Sequence, residues 1–322
     1  MDNDSKPGLP DVTDVHLARA RISHQISATP VLRSPELDAW AGCKLAVKCE
    51  NFQRTGSFKF RGASNAILCL DEDEENGKQP VATHSSGNHG AALALAARLS
   101  GRAAHVVMPD DSVQTKIDAV KHFGGTVHFC EPTHQARAEG LAALVDQGMV
   151  AIHPYDRREI IAGQGTCAVE LLGQDPGIEI LVVPIGGGGL ISGSALAAKA
   201  HGVRVIGVEP EGAADTAASL QRGTRVEDWK PDTIADGLRA IVGIQTFELI
   251  RTLVSQVLTV SDDELRAAQS AAWKHLRLVI EPSSATVLAA ISHYPEIFSG
   301  RHVGVIISGG NVRLDDWCAA VR

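Results

Sequence analysis

Short β-branched runs alternate with Ala- and Leu-rich stretches along most of this chain. Strand–helix alternation at this spacing is typical of βαβ units, in which helices cover parallel sheets. The strand candidates are KLAVKCE, PVATH, AAHVVMP, TVHFC, MVAIH, EILVVPI, VRVIGVE and HVGVIIS. The helix candidates include GAALALAARLS, TKIDAVKHFG, QARAEGLAALVDQG and GLISGSALAAKAHG. The pattern therefore predicts an α/β fold.

An acidic segment, DEDEENGK at residues 71–78, interrupts the alternation. Its composition is that of a solvated surface loop, and we expect the chain to enter a smaller domain there. With 322 residues the chain is long enough for two domains. We predict a small domain over residues 71–154 and a large domain formed by residues 1–70 and 155–322.

The overall charge argues against two classes of partner. Lys and Arg number 30 and Asp and Glu 38, so the net charge is −8, which disfavours general binding to nucleic acid or anionic membranes. No apolar run approaches the roughly 20 residues of a membrane helix, and the polar start MDNDSKPGLP is unlike a signal peptide. The six cysteines lack CxxC spacing and are expected to be reduced, buried thiols. We therefore expect a cytoplasmic protein.

One lysine lies in an unusual local sequence, GSFKFRGA. A lysine that forms an imine must be partly neutral, so burial or nearby positive charge has to lower its pKa. For Lys59, the apolar neighbours are Phe58 and Phe60, and Arg61 adds a local positive charge. Most lysines lie on the surface, so this segment alone does not define a site.

Four successive glycines follow the strand candidate EILVVPI and precede a helix candidate. The run consists of Gly186, Gly187, Gly188 and Gly189. Each glycine costs roughly 0.5–1 kcal/mol relative to alanine in regular structure, so four together indicate a tightly curled backbone. Successive N–H groups at a helix N-terminus form a nest for an anion such as phosphate. The spacing differs from both GxGxxG and the Walker motif, and a tight structural turn is the alternative.

Two polar loops complete the set of candidate residues. SSGNHG precedes the helix candidate GAALALAARLS, and SGGN follows the strand candidate HVGVIIS from Ser308 onward. Either loop alone is equally well explained as a capped turn. Ligands of α/β folds gather beyond the carboxyl ends of strands, where these loops and the glycine run are predicted to lie. An amine, polar contacts and a phosphate nest together suit the phosphorylated aldehyde cofactor pyridoxal phosphate (PLP).

The segments SFKFRGA, SSGNHG, HPYDRREIIAGQGT, PIGGGGL and ISGGN occur in this order and resemble the fold-type II PLP enzymes. The resemblance covers roughly residues 15 to 315 and is nearest the serine/threonine dehydratase and serine racemase branch. It implies a two-domain fold like the β subunit of tryptophan synthase, with parallel sheets flanked by helices. The sulfhydrylase branches typically carry SxKDR and TSGNTG at these places, and this chain has neither.

The resemblance also implies roles for individual residues. Lys59 is expected to bond covalently to the cofactor and to act as a base on one of its faces. Asn88 is expected to contact the cofactor's 3′-oxygen, Ser308 to face its pyridine nitrogen, and Phe58 to lie beside the ring. Gly186, Gly187, Gly188 and Gly189 are expected to hold the phosphate. A neutral partner such as Ser308 weakens the electron sink, which favours prompt expulsion of a β-leaving group.

Substrate contacts are implied for Ser85, Ser86 and His89, which are expected to hold the substrate carboxylate. In the racemases the serine that matches Ser86 is the acid/base on the face opposite the lysine, and two bases on two faces permit inversion at Cα. Arg137, after CEPTHQA, matches a family arginine at the domain cleft. It is a candidate partner for a substrate carboxylate, including the second carboxylate of 3-hydroxyaspartate, and otherwise a surface arginine.

Two departures bear on which reaction dominates. Tyr155 follows His153-Pro154 where animal serine racemases have asparagine, and dehydratases often carry an aromatic residue there. Ala240 and Ile241 replace the paired serines of the animal racemases. We therefore expect a dehydratase (ammonia-lyase) of L-serine or L-threonine with serine racemase side activity. The alternatives are a serine racemase and a 3-hydroxyaspartate dehydratase.

A metal site and an assembly are implied as well. The segment GVEPEGAAD matches the family segment that binds Mg²⁺ or a similar cation. The ligands carried over are Glu209, the carbonyl of Ala213 and Asp215, and oxygen ligands suit a hard cation. A homodimer is the family habit. A dehydrogenase is disfavoured because GxGxxG is missing, and a non-catalytic PLP protein is disfavoured because Lys59, Ser86, Asn88 and Ser308 are all retained.

Overall fold

The computed structural model describes residues 8–72, 78–85 and 87–321, with the backbone alone described at His134. The strands are β1 (Val31–Leu32), β2 (Lys44–Cys49), β3 (Val81–His84), β4 (Ala104–Pro109), β5 (Gly125–Cys130), β6 (Val150–Ala151), β7 (Ile180–Pro184), β8 (Arg204–Pro210), β9 (Gln256–Val260) and β10 (His302–Ile307). The helices of the first half are α1 (Val12–Ile22), α2 (Pro35–Ala41), α3 (Lys59–Asp71), α4 (Asn88–Leu99), α5 (Gln114–His122), α6 (His134–Asp146) and α7 (Arg158–Gln174). Those of the second half are α8 (Gly189–Lys199), α9 (Asp215–Arg222), α10 (Ile244–Leu253), α11 (Asp262–Leu276), α12 (Pro282–His293), α13 (Pro295–Phe298) and α14 (Leu314–Ala320).

The strands form two sheets. The larger has six strands in the order β1-β2-β10-β7-β8-β9, and its pairings are parallel except for that of β1 with β2. The smaller has four strands in the order β5-β4-β3-β6, all parallel. Parallel strands need crossover connections, and the helices supply them. The prediction of an α/β fold with parallel sheets flanked by helices is confirmed.

The six-stranded sheet is covered on both faces, as its continuous apolar strands require. All five residues of β7 are buried. Successive residues of that strand pack into different cores, with Val182 on one face and Leu181 and Val183 on the other. Helix α12 belongs to the first core and helices α7 and α8 to the second. Strands buried on two faces read as unbroken β-branched runs, which is why the sequence pattern predicts them.

The smaller sheet carries its own apolar core against α3 and α4, which includes Phe60, Ile67, Val81 and Leu93. All four of its strands lie between Val81 and Ala151. The acidic segment begins inside α3, whose last residue is Asp71, and residues 73–77 lie outside the described residues. The division into domains at residues 70/71 and 154/155 stays a prediction.

Two further expectations concerned the cysteines and membrane-spanning helices. The six cysteines are free, but only Cys43, Cys49 and Cys167 are buried, and the other three are partly exposed. Burial raises the pKa of Cys49 to about 12, so its thiol is unreactive at neutral pH. In the part of the chain that the structure describes, no helix is long and apolar enough to cross a membrane.

Candidate active site

The predicted site residues gather at the carboxyl ends of three strands. The glycine run follows β7, Ser308 follows β10, and Ser85 follows β3. The start of α3 is joined to the same place, because Ser57 forms a bridge with Gly309 and the Phe58 N–H donates to the Ser308 carbonyl at 2.9 Å. Strand β3 belongs to the small sheet and the other two to the large sheet, so the cleft lies between them.

Lys59 is the first residue of α3 and faces this cleft. Its Nζ donates to the Pro154 carbonyl at 3.1 Å and lies 5.2 Å from the centroid of the Phe58 ring. Burial lowers the pKa of Lys59 to about 8, although the negative charge of Glu281 opposes the shift. At pH 7 about a tenth of such a lysine is neutral, far more than for an exposed one. This is the state that covalent bonding to an aldehyde requires.

The expectation that Arg61 helps to lower the pKa of Lys59 is wrong. The Arg61 guanidinium is fully buried and turned away, with Nε 2.7 Å and Nη2 2.8 Å from the Glu50 carboxylate. Its Nη2 also lies 2.6 Å from Glu170, which pairs with Lys48 at 3.0 Å. Two cations and two carboxylates neutralise one another in this group. Burial and the Lys59–Glu281 interaction set the pKa of Lys59 instead.

The glycine run forms the turn between β7 and α8. Gly188 has φ +89°, a left-handed conformation that favours glycine. A Cβ at Gly187 would overlap the Tyr155 ring, and one at Gly186 would lie 3.1 Å from the Gly237 carbonyl. Because the turn opens the N-terminus of α8, its N–H groups face an anion-binding position. The geometry fits a phosphate nest.

Ser308 lies at the end of β10, beside the hydroxyl of Ser284. It is 3% exposed, and its Oγ lies 3.0 Å from the Oγ of Ser284. Ser284 also donates to the Gly309 carbonyl and accepts from the Gly309 N–H, both at 2.7 Å. This double contact fixes the loop that follows β10, so the Ser308 hydroxyl has a defined position.

Asn88 contacts two residues of the large-sheet side. Its Nδ2 donates to the Glu281 carboxylate at 3.0 and 3.2 Å, and its Oδ1 accepts from Asn311 Nδ2 at 2.9 Å. Glu281 is 2% exposed, and burial raises its pKa against the opposing effects of Lys116, Asn88 and Lys59. Sequence reasoning missed Glu281. Its one local signal is its place before Pro282 at the start of α12, which reads as an ordinary helix N-terminus.

The loop that precedes α4 is only partly described. Ser85 Oγ accepts from the N–H groups of Gly87 and Gly90 at 3.2 and 3.1 Å. Ser86, the candidate second acid/base, lies outside the described residues. His89 is 3% exposed, and among the described residues neither of its ring nitrogens makes a hydrogen bond of good geometry, although the backbone of Ile152 lies near enough to act on the ring. Burial holds the pKa of His89 well below its usual value, so the ring is neutral and carries one N–H donor.

Arg137 lies on α6, where its Nε donates to the Thr133 carbonyl at 3.2 Å. Its positive charge acts on Tyr155, opposing the burial that raises the pKa of that phenol to about 12. The arginine therefore lies within electrostatic reach of the cleft. A direct role in substrate binding stays a prediction.

The predicted metal ligands lie around the end of β8 and the start of α9. Glu209 and Asp215 are 0% and 2% exposed, and Ala213 is also buried. Burial and the charge of Asp215 raise the pKa of Glu209 to about 8, and burial raises the pKa of Asp215 to about 6. Two buried carboxylates that repel each other are the environment that a hard cation would stabilise. No cluster of three or more His, Cys, Asp or Glu side chains with metal-binding geometry occurs in the described ranges, so a cation here would need carbonyl or water ligands as well.

The residues present fit PLP. A partly neutral lysine, a glycine turn in which a Cβ at Gly187 or Gly188 would overlap its neighbours, a fixed serine hydroxyl and a buried neutral histidine surround one cleft. The family model described as "Pyridoxal-phosphate dependent enzyme" matches residues 22–309. The chain belongs to the PLP-dependent enzymes of fold type II.

The relatives show which fold-type II PLP enzymes the chain is similar to. The chain is 45% identical to the β-hydroxyaspartate dehydratase of Paracoccus denitrificans over 95% of its own length and 98% of that protein's. It is 43% identical to the serine racemase of Dictyostelium discoideum, with 94% of each chain covered. The structure of maize serine racemase superposes with a TM-score of 0.92 at 41% identity, covering 97% of both chains. The resemblance seen in the sequence motifs is confirmed.

Proposed function

We propose that the protein is a dehydratase of β-hydroxy amino acids, converting L-serine or L-threonine to a 2-oxo acid and ammonia. The observation that supports this proposal is the buried Lys59, whose pKa burial lowers to about 8, at the same cleft as the glycine turn between β7 and α8. When bound, PLP supplies the electron sink that acidifies the Cα–H bond of an amino acid. The class of the relatives supports enzymatic activity of this kind.

Each residue has a task in the proposed reaction. Lys59 would take the proton from Cα and return it to the hydroxyl as that group leaves Cβ, so that both depart as water; the released enamine would become an imine, which water hydrolyses to the 2-oxo acid and ammonia. The neutral His89 ring, together with Ser85 and Ser86, would bind the substrate carboxylate. Ser308, whose hydroxyl contacts that of Ser284, would give the ring nitrogen a neutral partner in place of a carboxylate, which favours loss of the β-hydroxyl over longer-lived proton exchange.

Racemisation of serine is the second candidate, and the serine racemases among the relatives favour it. It needs an acid on the face opposite Lys59, and Ser86 is the proposed residue. Tyr155, where animal racemases have asparagine, packs against the glycine turn. We place racemisation as a side activity for that reason.

Dehydration of 3-hydroxyaspartate is the third candidate. The relative at 45% identity bears that activity in its name, and a second carboxylate on the substrate would need a cation near the cleft. Arg137 and Arg225 are the cations whose charges act on Tyr155. Arg137 is the proposed partner, because it lies on α6 of the small-sheet side, where the substrate loop also begins.

We further propose a structural Mg²⁺, or a similar divalent cation, held by Glu209, the Ala213 carbonyl and Asp215. The support is the burial and mutual repulsion of the two carboxylates. Assembly as a homodimer, location in the cytoplasm, and the two-domain division also belong to this proposal.

A substrate panel tests the proposed function. Purified holoenzyme is given L-serine, D-serine, L-threonine and the isomers of 3-hydroxyaspartate, with Mg²⁺ or with a chelator. Release of 2-oxo acid and chirality of the remaining amino acid are followed together. We expect 2-oxo acid from L-serine or L-threonine to exceed D-serine formation. Faster inversion than 2-oxo acid release would assign the racemase, and exclusive use of a 3-hydroxyaspartate isomer would assign the third candidate.

A further inference from the structure

We propose that Asp156 is a positioning residue for the cofactor site. It lies in the turn formed by residues 153–156, through which the chain passes from strand β6 of the small sheet to helix α7. The proposal rests on the contacts of this turn, which join Lys59, the glycine turn and the N-terminus of α10. It concerns the binding of PLP and does not depend on which amino acid is the substrate.

The Asp156 carboxylate binds the first turn of α10 from a distant part of the chain. Its two oxygens accept from the N–H groups of Ile244 at 2.8 Å, Gln245 at 2.9 Å and Thr246 at 3.2 Å. The first N–H groups of a helix have no partner within the helix, and a carboxylate there also meets the positive end of the helix dipole. A Cβ at Gly243 would overlap this carboxylate, so the approach is as close as the backbone allows.

The same helix turn holds the phosphate nest. Thr246 Oγ1 donates to the Gly187 carbonyl at 2.8 Å, and the Gly243 N–H donates to the same carbonyl at 3.3 Å. A Cβ at Gly188 would lie 2.7 Å from the Thr246 Cβ. Asp156 therefore reaches the glycine turn through one intervening residue, Thr246.

The other residues of the 153–156 turn contact the site directly. The Pro154 carbonyl accepts from Lys59 Nζ at 3.1 Å, and Tyr155 packs on Gly187 and Gly189. His153 Nδ1 accepts from the Asp156 N–H at 2.9 Å, which closes the turn on itself. Holding Asp156 on α10 therefore also holds the Pro154 carbonyl, which contacts Lys59, and the Tyr155 ring, which packs on the glycine turn.

These contacts would preorganise the site for PLP. If the 153–156 turn and the start of α10 were free to separate, the nest and Lys59 would have to be ordered when PLP binds, and that ordering would weaken affinity. Loss of the Asp156 contacts should then reduce the affinity for PLP, while the reacting groups themselves stay the same. An ordinary helix cap, by contrast, contributes to stability alone.

The test compares two carboxylates that cap helices. Asp156→Ala is matched by Asp11→Ala, because Asp11 accepts from the N–H groups of Thr13 and Asp14 at the start of its own helix, α1. Apoenzyme of each variant is titrated with PLP, followed by absorbance of the bound cofactor, and its melting temperature is measured without PLP. We expect the Kd for PLP to rise at least tenfold in Asp156→Ala and to stay within twofold in Asp11→Ala.

Asp156→Asn provides a second variant if the alanine variant does not fold. It keeps one oxygen acceptor but places an amide NH₂ against a backbone N–H, so a severalfold rise in Kd is expected. A Kd within twofold of the wild type in the variant that folds would overturn the proposal, whether or not the melting temperature falls as it does in Asp11→Ala. A raised Kd with a control that is unchanged supports it.

Discussion

Replacing Arg61 with methionine tests whether Arg61 stabilises the fold by pairing with Glu50 or instead lowers the pKa of Lys59. In the folded protein Arg61 and Glu50 are both fully buried and joined by two hydrogen bonds, and Thr29 Oγ1 donates to Glu50 at 2.5 Å. Burial alone would raise the pKa of Glu50, yet the charge of Arg61 and its hydrogen bonds hold the pKa below its usual value. Methionine fills similar volume and removes the charge.

The magnitude follows from the fate of the Glu50 carboxylate. Left charged and without its partner, a buried carboxylate costs about 3–5 kcal/mol. The Glu50 carboxylate can avoid this cost by taking up a proton. At pH 7 protonation costs about 3.4 kcal/mol for a group with an ordinary pKa of 4.5. We therefore expect a loss of about 3 kcal/mol in the free energy of unfolding at pH 7. The cost of protonation falls to about 1.4 kcal/mol at pH 5.5, so the loss should shrink as the pH is lowered.

The assay is urea unfolding of wild type and Arg61→Met at both pH values, with Arg301→Met as the control. Arg301 pairs with Glu179 at 3.1 Å on the surface, where such a pair contributes at most about 1 kcal/mol. A loss below 1 kcal/mol in Arg61→Met, or one that does not change with pH, would refute the reasoning. The pH midpoint for covalent cofactor binding should stay near 8 in the variant; a rise would mean that Arg61 does act on Lys59.

Other predictions concern the site itself. Lys59→Ala should abolish the absorbance of the covalently bound cofactor and all turnover, and normal turnover would contradict the assigned role. The rate of covalent cofactor binding to wild-type apoenzyme should rise with pH and level off above about pH 8, because the pKa of Lys59 is lowered to that value and the neutral amine reacts. Ser86→Ala should reduce racemisation of serine far more than its dehydration; equal losses would count against a second base. A chelator should lower the melting temperature of wild type but not of Glu209→Gln, as measured by differential scanning fluorimetry, and added Mg²⁺ should reverse the effect.

The strands and the motif loops could be predicted because their signals are local. A strand buried on both faces is an unbroken apolar run, and the polar and glycine residues that end it carry the chemistry. Helix α7 gave no such signal, since it is buried around most of its surface and holds three glycines, of which Gly163 and Gly165 read as breakers. In the structure those glycines allow close helix packing, because a Cβ at Gly163 would lie 2.6 Å from the Gly62 Cα and one at Gly165 2.6 Å from the Gly193 carbonyl.

The contacts that tune the site could not be predicted, because they join residues far apart in the sequence. Asn88 meets Glu281 across 193 positions, and Asp156 meets Ile244 across 88. The error about Arg61 has the same origin. Two positions along a helix from Lys59, it was expected to act on its neighbour, but residues two apart on a helix point in different directions. Its partner Glu50 lies 11 positions before it and Glu170 109 positions after it.

The arrangement of the cleft bears on how one protein divides its substrate between elimination and inversion. Elimination needs a single base, and Lys59 is anchored to the large-sheet side through the Ser57–Gly309 bridge. Inversion needs a second proton donor at a fixed distance across the cleft, and the loop that holds the candidate donor follows β3 of the small sheet. The distance between Lys59 and the candidate donor therefore depends on contacts that cross the cleft. Those in the described ranges include the Asn88–Glu281 hydrogen bonds and the Lys116–Asp236 ion pair. Weakening such a contact should impair inversion more than elimination, because inversion needs a proton transferred from each side, whereas elimination needs only substrate binding from the small-sheet side.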